Sequence, residues 1–203
     1  MIHLMNVSKR IKKKVILQDI TMKFESGNIY LLKGHNGSGK TMFLRLIGGL
    51  IKPSSGTIKY SKPLDIGVMI ENPEFLENQS GLYNLNYLAS IKNKTSQEQI
   101  KASLKQVNLF QDRNIIVKEY SLGMKQRLGL CQAIMEDQEL ILLDEPFNAL
   151  DEENLNQTID TLKKLKMEGK IIVIAAHGLD QDKLHIFDEI LHFNNGKVSL
   201  WKS

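Results

Sequence analysis

Residues Gly34-His35-Asn36-Gly37-Ser38-Gly39-Lys40-Thr41 combine three glycines, a lysine and a hydroxyl. The run Ile29-Tyr30-Leu31-Leu32 before them reads as a strand, and Met42 to Ile47 after them reads as a helix. Strand, glycine-rich loop, Lys-Thr and helix is the context of a phosphate-binding P-loop. Glycines let the backbone turn tightly and aim several N–H groups at one anion. The following helix adds its positive N-terminal end. Lys40 is then placed for β- and γ-phosphates, and the Thr41 hydroxyl for Mg²⁺. A glycine-rich turn with a chance lysine would not need the flanking strand and helix.

A second cluster follows the apolar run Leu140-Ile141-Leu142-Leu143, which delivers Asp144 and Glu145 side by side before Pro146. Ligands of open α/β sheets bind at the C-terminal ends of the strands. Asp144 suits a magnesium ion, directly or through water. Glu145 is placed to polarise an attacking water as general base. The next apolar run, Ile171 to Ala176, ends at His177. If the two strands are parallel, His177 reaches the same edge, where a neutral imidazole can hydrogen-bond the γ-phosphate or the water.

These groups need a sheet and helices to hold them. Continuous rather than alternating apolar runs predict strands buried on both faces, as in a parallel sheet. Residues 2 to 7 and 15 to 24 read as short strands around a basic turn, Lys9 to Lys14, which carries five positive charges in six residues. The plain reading of that turn is a solvated loop. Short strands are expected at Thr57 to Tyr60 and Ile66 to Ile70, the latter running into Glu71-Asn72-Pro73. Helical spacing then dominates from about residue 72 to about 135, and Ser96 with Gln99 forms a candidate capping box. Asn154 to Met167 reads as an amphipathic helix ended at Gly169, and Asn195-Gly196 as the turn of a closing hairpin within Ile190 to Trp201. The expected fold is therefore α/β. It has a mostly parallel P-loop core, an N-terminal antiparallel β part and an inserted helical lobe.

Composition bounds the rest. The chain has 203 residues, 42% apolar and 25% charged, which suits one globular domain with an attached lobe. A net charge of +4 is too mild to indicate a nucleic-acid partner. A single cysteine, Cys131, excludes an internal disulfide and fits a reducing compartment. Residues Met1 to Asn6 lack a signal-peptide layout, and no run of about 18 apolar residues exists to span a bilayer.

Tyr120-Ser121-Leu122-Gly123-Met124-Lys125-Gln126-Arg127 opens a further helix, with Ser121 as cap and Gly123 allowing close backbone approach. It is a second phosphate-binding surface, and one chain cannot easily present both surfaces to one ATP. Two chains can, head to tail. Here the whole chain resembles the ATP-binding cassette (ABC) transporter ATPases. Gly34 to Thr41 matches the family's Walker A motif. Tyr120 to Met124 is a variant of its signature loop, and Leu140 to Glu145 matches Walker B with the catalytic glutamate. Asn148-Ala149-Leu150-Asp151 matches the D-loop, and His177 the switch histidine. The short length and the Leu-Gly-Met-Lys-Gln-Arg form look like the bacterial exporters of peptide antibiotics and bacteriocins.

The resemblance implies one nucleotide-binding domain over residues 1 to 203 that binds ATP and Mg²⁺. Two ATP molecules would join a head-to-tail dimer, which hydrolysis opens. Ser121 and Gly123 would meet the γ-phosphate held by the other subunit, and Asp151 would act across the interface. The partners implied are a separate transmembrane permease and a second cassette, identical or paralogous, with no nucleic acid. The place implied is the cytoplasmic face of the cell membrane. Two positions depart from the family. Glu71 stands where a glutamine usually contacts Mg²⁺ and the attacking water, and is expected to act as a metal ligand in the catalytic site. The turn near Ile11 offers no aromatic to stack on adenine, so Ile11 is expected to give a plain apolar contact. The rival reading is a soluble ABC ATPase acting on nucleic acid or ribosomes. Those relatives usually carry paired cassettes, coiled coils or zinc modules, and none is visible here. A non-catalytic nucleotide sensor is disfavoured by intact Lys40, Asp144, Glu145 and His177.

Overall fold

The computed structural model describes residues 1–71, 73–92 and 95–200. The strands are β1 (Ile2–Ile11), β2 (Lys14–Phe24), β3 (Asn28–Lys33), β4 (Ser55–Tyr60), β5 (Ile66–Met69), β6 (Leu140–Asp144), β7 (Ile171–Ala175), β8 (Glu189–Asn194) and β9 (Lys197–Leu200). The helices are α1 (Lys40–Ile47), α2 (Gly81–Lys92), α3 (Gln97–Gln106), α4 (Leu122–Ile134) and α5 (Glu152–Met167).

A six-stranded sheet runs in the order β5-β6-β7-β3-β8-β9, and only its last pair, β8 with β9, is antiparallel. Every residue of β6 and β7 is buried, as their unbroken apolar runs require. Alternate residues feed two cores. Tyr30, Leu32, Leu142 and Val173 join Phe43, Leu44 and Ile47 of α1 and the inner side of the N-terminal sheet. Ile29, Leu31, Leu143 and Ile174 face the opposite way, among the apolar residues of α4 and α5. The expected antiparallel part is a three-stranded sheet, β2-β1-β4. Phe43 lies between Phe24 and Phe193, with centroids 6.0 Å and 5.2 Å away, so one ring ties α1 to both sheets.

The inserted helices α2, α3 and α4 form the lobe. Its expected start at Asn72 lies outside the described residues. The capping box of α3 is present: the Ser96 hydroxyl accepts from Gln99 N–H and the Gln99 side chain accepts from Ser96 N–H. Helix α4 crosses β5 so closely that a side chain at Gly67 would overlap the Ala133 carbonyl.

The basic stretch differs from expectation. It is not a six-residue loop: β1 and β2 continue through it and turn only at Lys12-Lys13, with Lys12 at φ 53°. Exposed lysines tolerate strand geometry when their neighbours pair, and Arg10 pairs with Val15 and Ile11 with Lys14. The closing hairpin turns at Asn195 (φ 48°) and Gly196 (φ 79°), as an Asn-Gly turn should. Trp201, its expected end, lies outside the described residues. Among the described residues no helix is long and apolar enough to cross a membrane.

Candidate active site

The loop 34–39 links β3 to α1. A side chain at Gly34 would overlap the Phe193 carbonyl, and Gly37 and Gly39 adopt φ 79° and 109°, so three positions accept only glycine. Ser38 is buried, and its hydroxyl finds no partner among the described residues. Buried polar atoms normally have partners, so this orphan suits a bound oxyanion. Lys40 is also buried. Its Nζ donates to the Gly34 carbonyl at 2.7 Å and to the His35 carbonyl at 3.3 Å. His35 itself is exposed, its Nδ1 2.9 Å from the Asn36 carbonyl. The loop is thus a cradle of glycine backbone around a buried ammonium group, which is chemistry for a polyphosphate.

Parallel pairing brings the second cluster beside it. Asp144 pairs with Ala175, two residues before His177. The Thr41 hydroxyl donates to Asp144 Oδ2 at 2.6 Å, joining α1 to β6. Burial raises the Asp144 pKa, the Thr41 hydrogen bond opposes that, and the nearby charge of Glu145 raises it further. A cation beside Thr41 and Asp144 would relieve this strain, and two hard oxygen donors suit Mg²⁺. His177 Nδ1 lies 2.6 Å from Glu145 Oε1, and His177 N–H donates to Oε2 at 3.3 Å. Glu145 has φ 52°, a left-handed conformation uncommon away from glycine. Its N–H donates to the Ala175 carbonyl at 2.7 Å. The turn therefore swings the carboxylate off the strand and onto the histidine.

Lys40, Thr41, Asp144, Glu145 and His177 line one cleft of about 510 Å³ with Asn36, Gly37 and Gly39. Glu71 lies on its rim with φ 64°. Its carboxylate is held by Arg45 Nη2 at 2.6 Å, with a largely exposed side chain. Sequence spacing did not reveal that partner, because Arg45 comes from α1 and only the fold brings the two together. Ile11 is not among the cleft residues; Ile16 is. The hairpin carries Ile11 on to an exposed tip, while β2 lies against the loop at Ile16 and Leu17, next to Gly39.

Ser121, Gly123 and Asp151 lie outside this cleft. Ser121 caps α4 by accepting from Met124 N–H at 3.1 Å. A side chain at Gly123 would come within 2.6 Å of the Ala149 carbonyl, so the cap of α4 and the turn before α5 pack as one unit. Asp151 caps α5, and the backbone N–H of Asn154 lowers its pKa.

The family model for the ABC transporter matches residues 17–148, from β2 through β6. The chain belongs to that family. It is an ABC-type ATP-binding cassette of α/β fold. It is 40% identical over 98% of its length to the ABC transporter ATP-binding protein YybJ of Bacillus subtilis, covering 94% of that protein. It is 32% identical over its full length to the lantibiotic transport ATP-binding protein SrtF of Streptococcus pyogenes, covering 90% of it. Among solved structures, the dimeric post-hydrolysis cassette MJ0796 bound to ADP and Pi superposes with a TM-score of 0.90 at 23% identity. That alignment covers 100% of this chain and 98% of the other, and at this identity it speaks for the fold.

Ile16 lines the cleft beside the loop and Ile11 does not, so the adenine contact is to be tested at both positions. Ile16→Ala should weaken ATP binding about 4- to 15-fold, the value of one or two buried methylenes. Ile11→Ala should leave binding unchanged. Titration calorimetry on the two variants checks this; equal losses would return the contact to the hairpin tip.

Proposed function

We propose that this chain is the ATP-hydrolysing subunit of a membrane transporter and works as a head-to-tail pair of cassettes. The observation that carries the reading is the convergence of Lys40, Thr41, Asp144, Glu145 and His177 on one cleft. Each has a distinct role in the hydrolysis. Lys40 exchanges the Gly34 and His35 carbonyls for β- and γ-phosphate oxygens, and the buried Ser38 hydroxyl gains the partner it lacks. Thr41 and Asp144 would hold Mg²⁺, with Glu71 as a further ligand. When bound, that ion neutralises the charge that develops during phosphoryl transfer. Glu145 takes the proton of the attacking water, and His177 steadies its carboxylate and meets the γ-phosphate.

Ser121 and Gly123 of a second copy would close over that γ-phosphate, with Asp151 acting across the interface. Their separation from the cleft within one chain supports the shared arrangement. The membrane partner would be a separate permease, and the lobe offers it a surface. Tyr83, Tyr87 and Ile91 lie at four-residue spacing on α2 and are 47%, 55% and 70% exposed, which suits docking of an apolar helix. The chain would then work on the cytoplasmic face of the membrane. Similarity to a lantibiotic transport cassette supports a peptide-antibiotic type of cargo.

Glu145→Gln should still bind ATP but release phosphate about 10²- to 10⁴-fold more slowly, since an amide preserves shape and cannot accept the proton. Normal phosphate release would refute the base assignment. For Glu71, the exposed pair with Arg45 is weak enough to yield to a metal. Glu71→Gln should hydrolyse ATP but need more Mg²⁺ for half-maximal rate than the natural chain. Superimposable Mg²⁺ titrations of the natural chain, Glu71→Gln and Glu71→Ala would show that Glu71 is a loop residue and no ligand.

A further inference from the structure

Glu145 owes its direction to a backbone shape that its own residue type does not favour, so something must enforce φ 52°. Three hydrogen bonds tether its backbone. Glu145 N–H is tied to the Ala175 carbonyl of β7 at 2.7 Å. Its carbonyl accepts from the side-chain amide of Gln126 at 2.6 Å, and from Asn148 N–H at 3.2 Å. Gln126 belongs to α4 and is only 6% exposed. A buried amide is costly unless paired, and this one is spent on the main chain of the proposed base.

The same helix touches the same turn once more. Gly123 packs on the carbonyl of Ala149, which is also left-handed, at φ 60°. Two left-handed residues, at 145 and 149, are thus braced from the first turns of α4. Lys125, between the two contacts, pairs with Glu77 instead at 3.0 Å.

We infer that Gln126 is a positioning residue, which sets the carboxylate of Glu145 by holding its carbonyl. The inference rests on Glu145 being the general base. Turnover then depends on how α4 seats against the turn after β6. Ser121 caps the same helix, so movement of the signature surface reaches the base through Gln126.

Gln126→Met keeps the length of the side chain and removes the donor. Phosphate release by the full purified chain should fall about 10-fold or more, as small misplacements of reacting groups do, with the half-saturating ATP concentration unchanged. The imidazole resonances of His177 should shift in nucleotide-free protein, because its partner carboxylate has moved. In a Glu145→Gln background the same change should cause no further loss. Should Gln126→Met fail to fold in a melting test, Gln126→Glu is measured instead. It has the same length but sets an acceptor against the Glu145 carbonyl. Normal turnover with unshifted His177 resonances, beside an inactive Glu145→Gln, overturns the positioning role alone. Equal fold losses in both backgrounds also overturn it. An active Glu145→Gln overturns the base assignment and this inference together.

Discussion

Parallel pairing of β3, β7 and β6 sets Leu32 opposite Ala175 and Ala175 opposite Asp144. This register is what the site depends on. Side chains in a strand alternate faces, so a slip of one residue would turn Asp144 into the core and send an apolar residue to the edge. The buried runs on both faces fix the register: Leu142 and Val173 serve one core, Leu143 and Ile174 the other. Because all three strands end at the same edge, the P-loop, the two carboxylates and His177 meet without any long connection. The Thr41–Asp144 hydrogen bond then closes the gap between the first and second of these groups.

What stands on that edge is held in backbone shapes that ordinary strands and helices avoid. Gly37 and Gly39 on one side, and Glu145 and Ala149 on the other, all have positive φ. Glycine accepts this freely; Glu145 and Ala149 do not, and each is braced by α4. The helical lobe is therefore more than a handle for a partner. Its last helix carries the exposed Ser121 at one end and buttresses the proposed base from Gln126, a turn and a half further on. The ion pair of Arg45 and Glu71 lies at the other junction with the lobe. Arg45 lines the nucleotide cleft and also the adjoining groove formed with Met69, Pro73 and Gln132.

Much of this was legible in the sequence, for local reasons. The P-loop, the Asp144-Glu145 pair and His177 are fixed by spacing to the strands they follow. The unbroken apolar character of Leu140 to Leu143 and Ile171 to Ala175 signals burial on two faces. Caps at Ser96, Ser121 and Asp151 are local as well. The errors arose where geometry is not local. The pairing of β1 with β2 has register shifts between Leu4 and Val7, Val7 and Lys9, and Lys9 and Arg10. β2 presents Ile16 to the cleft while Ile11 stands at the hairpin tip, a distinction that counting along the chain does not make. The partnership of Arg45 with Glu71 and that of Gln126 with the Glu145 carbonyl join distant segments, and no periodicity encodes them. The basic run read as a loop because a run of like charges is usually a solvated loop, yet pairing across the hairpin prevailed.

In the proposed arrangement each chain holds half of two shared sites. Lys40 lines the cleft and Ser121 does not, so in that arrangement a defect in either is complemented only by another molecule. The direct test mixes Lys40→Ala chains with differently tagged Ser121→Arg chains. Tandem affinity purification then isolates the mixed dimer for measurement of phosphate release. If the sites are shared, each variant alone is silent and the mixed dimer hydrolyses ATP, because it contains one site with an intact Lys40 and an intact Ser121. A purified mixed dimer as silent as its parents would contradict that arrangement.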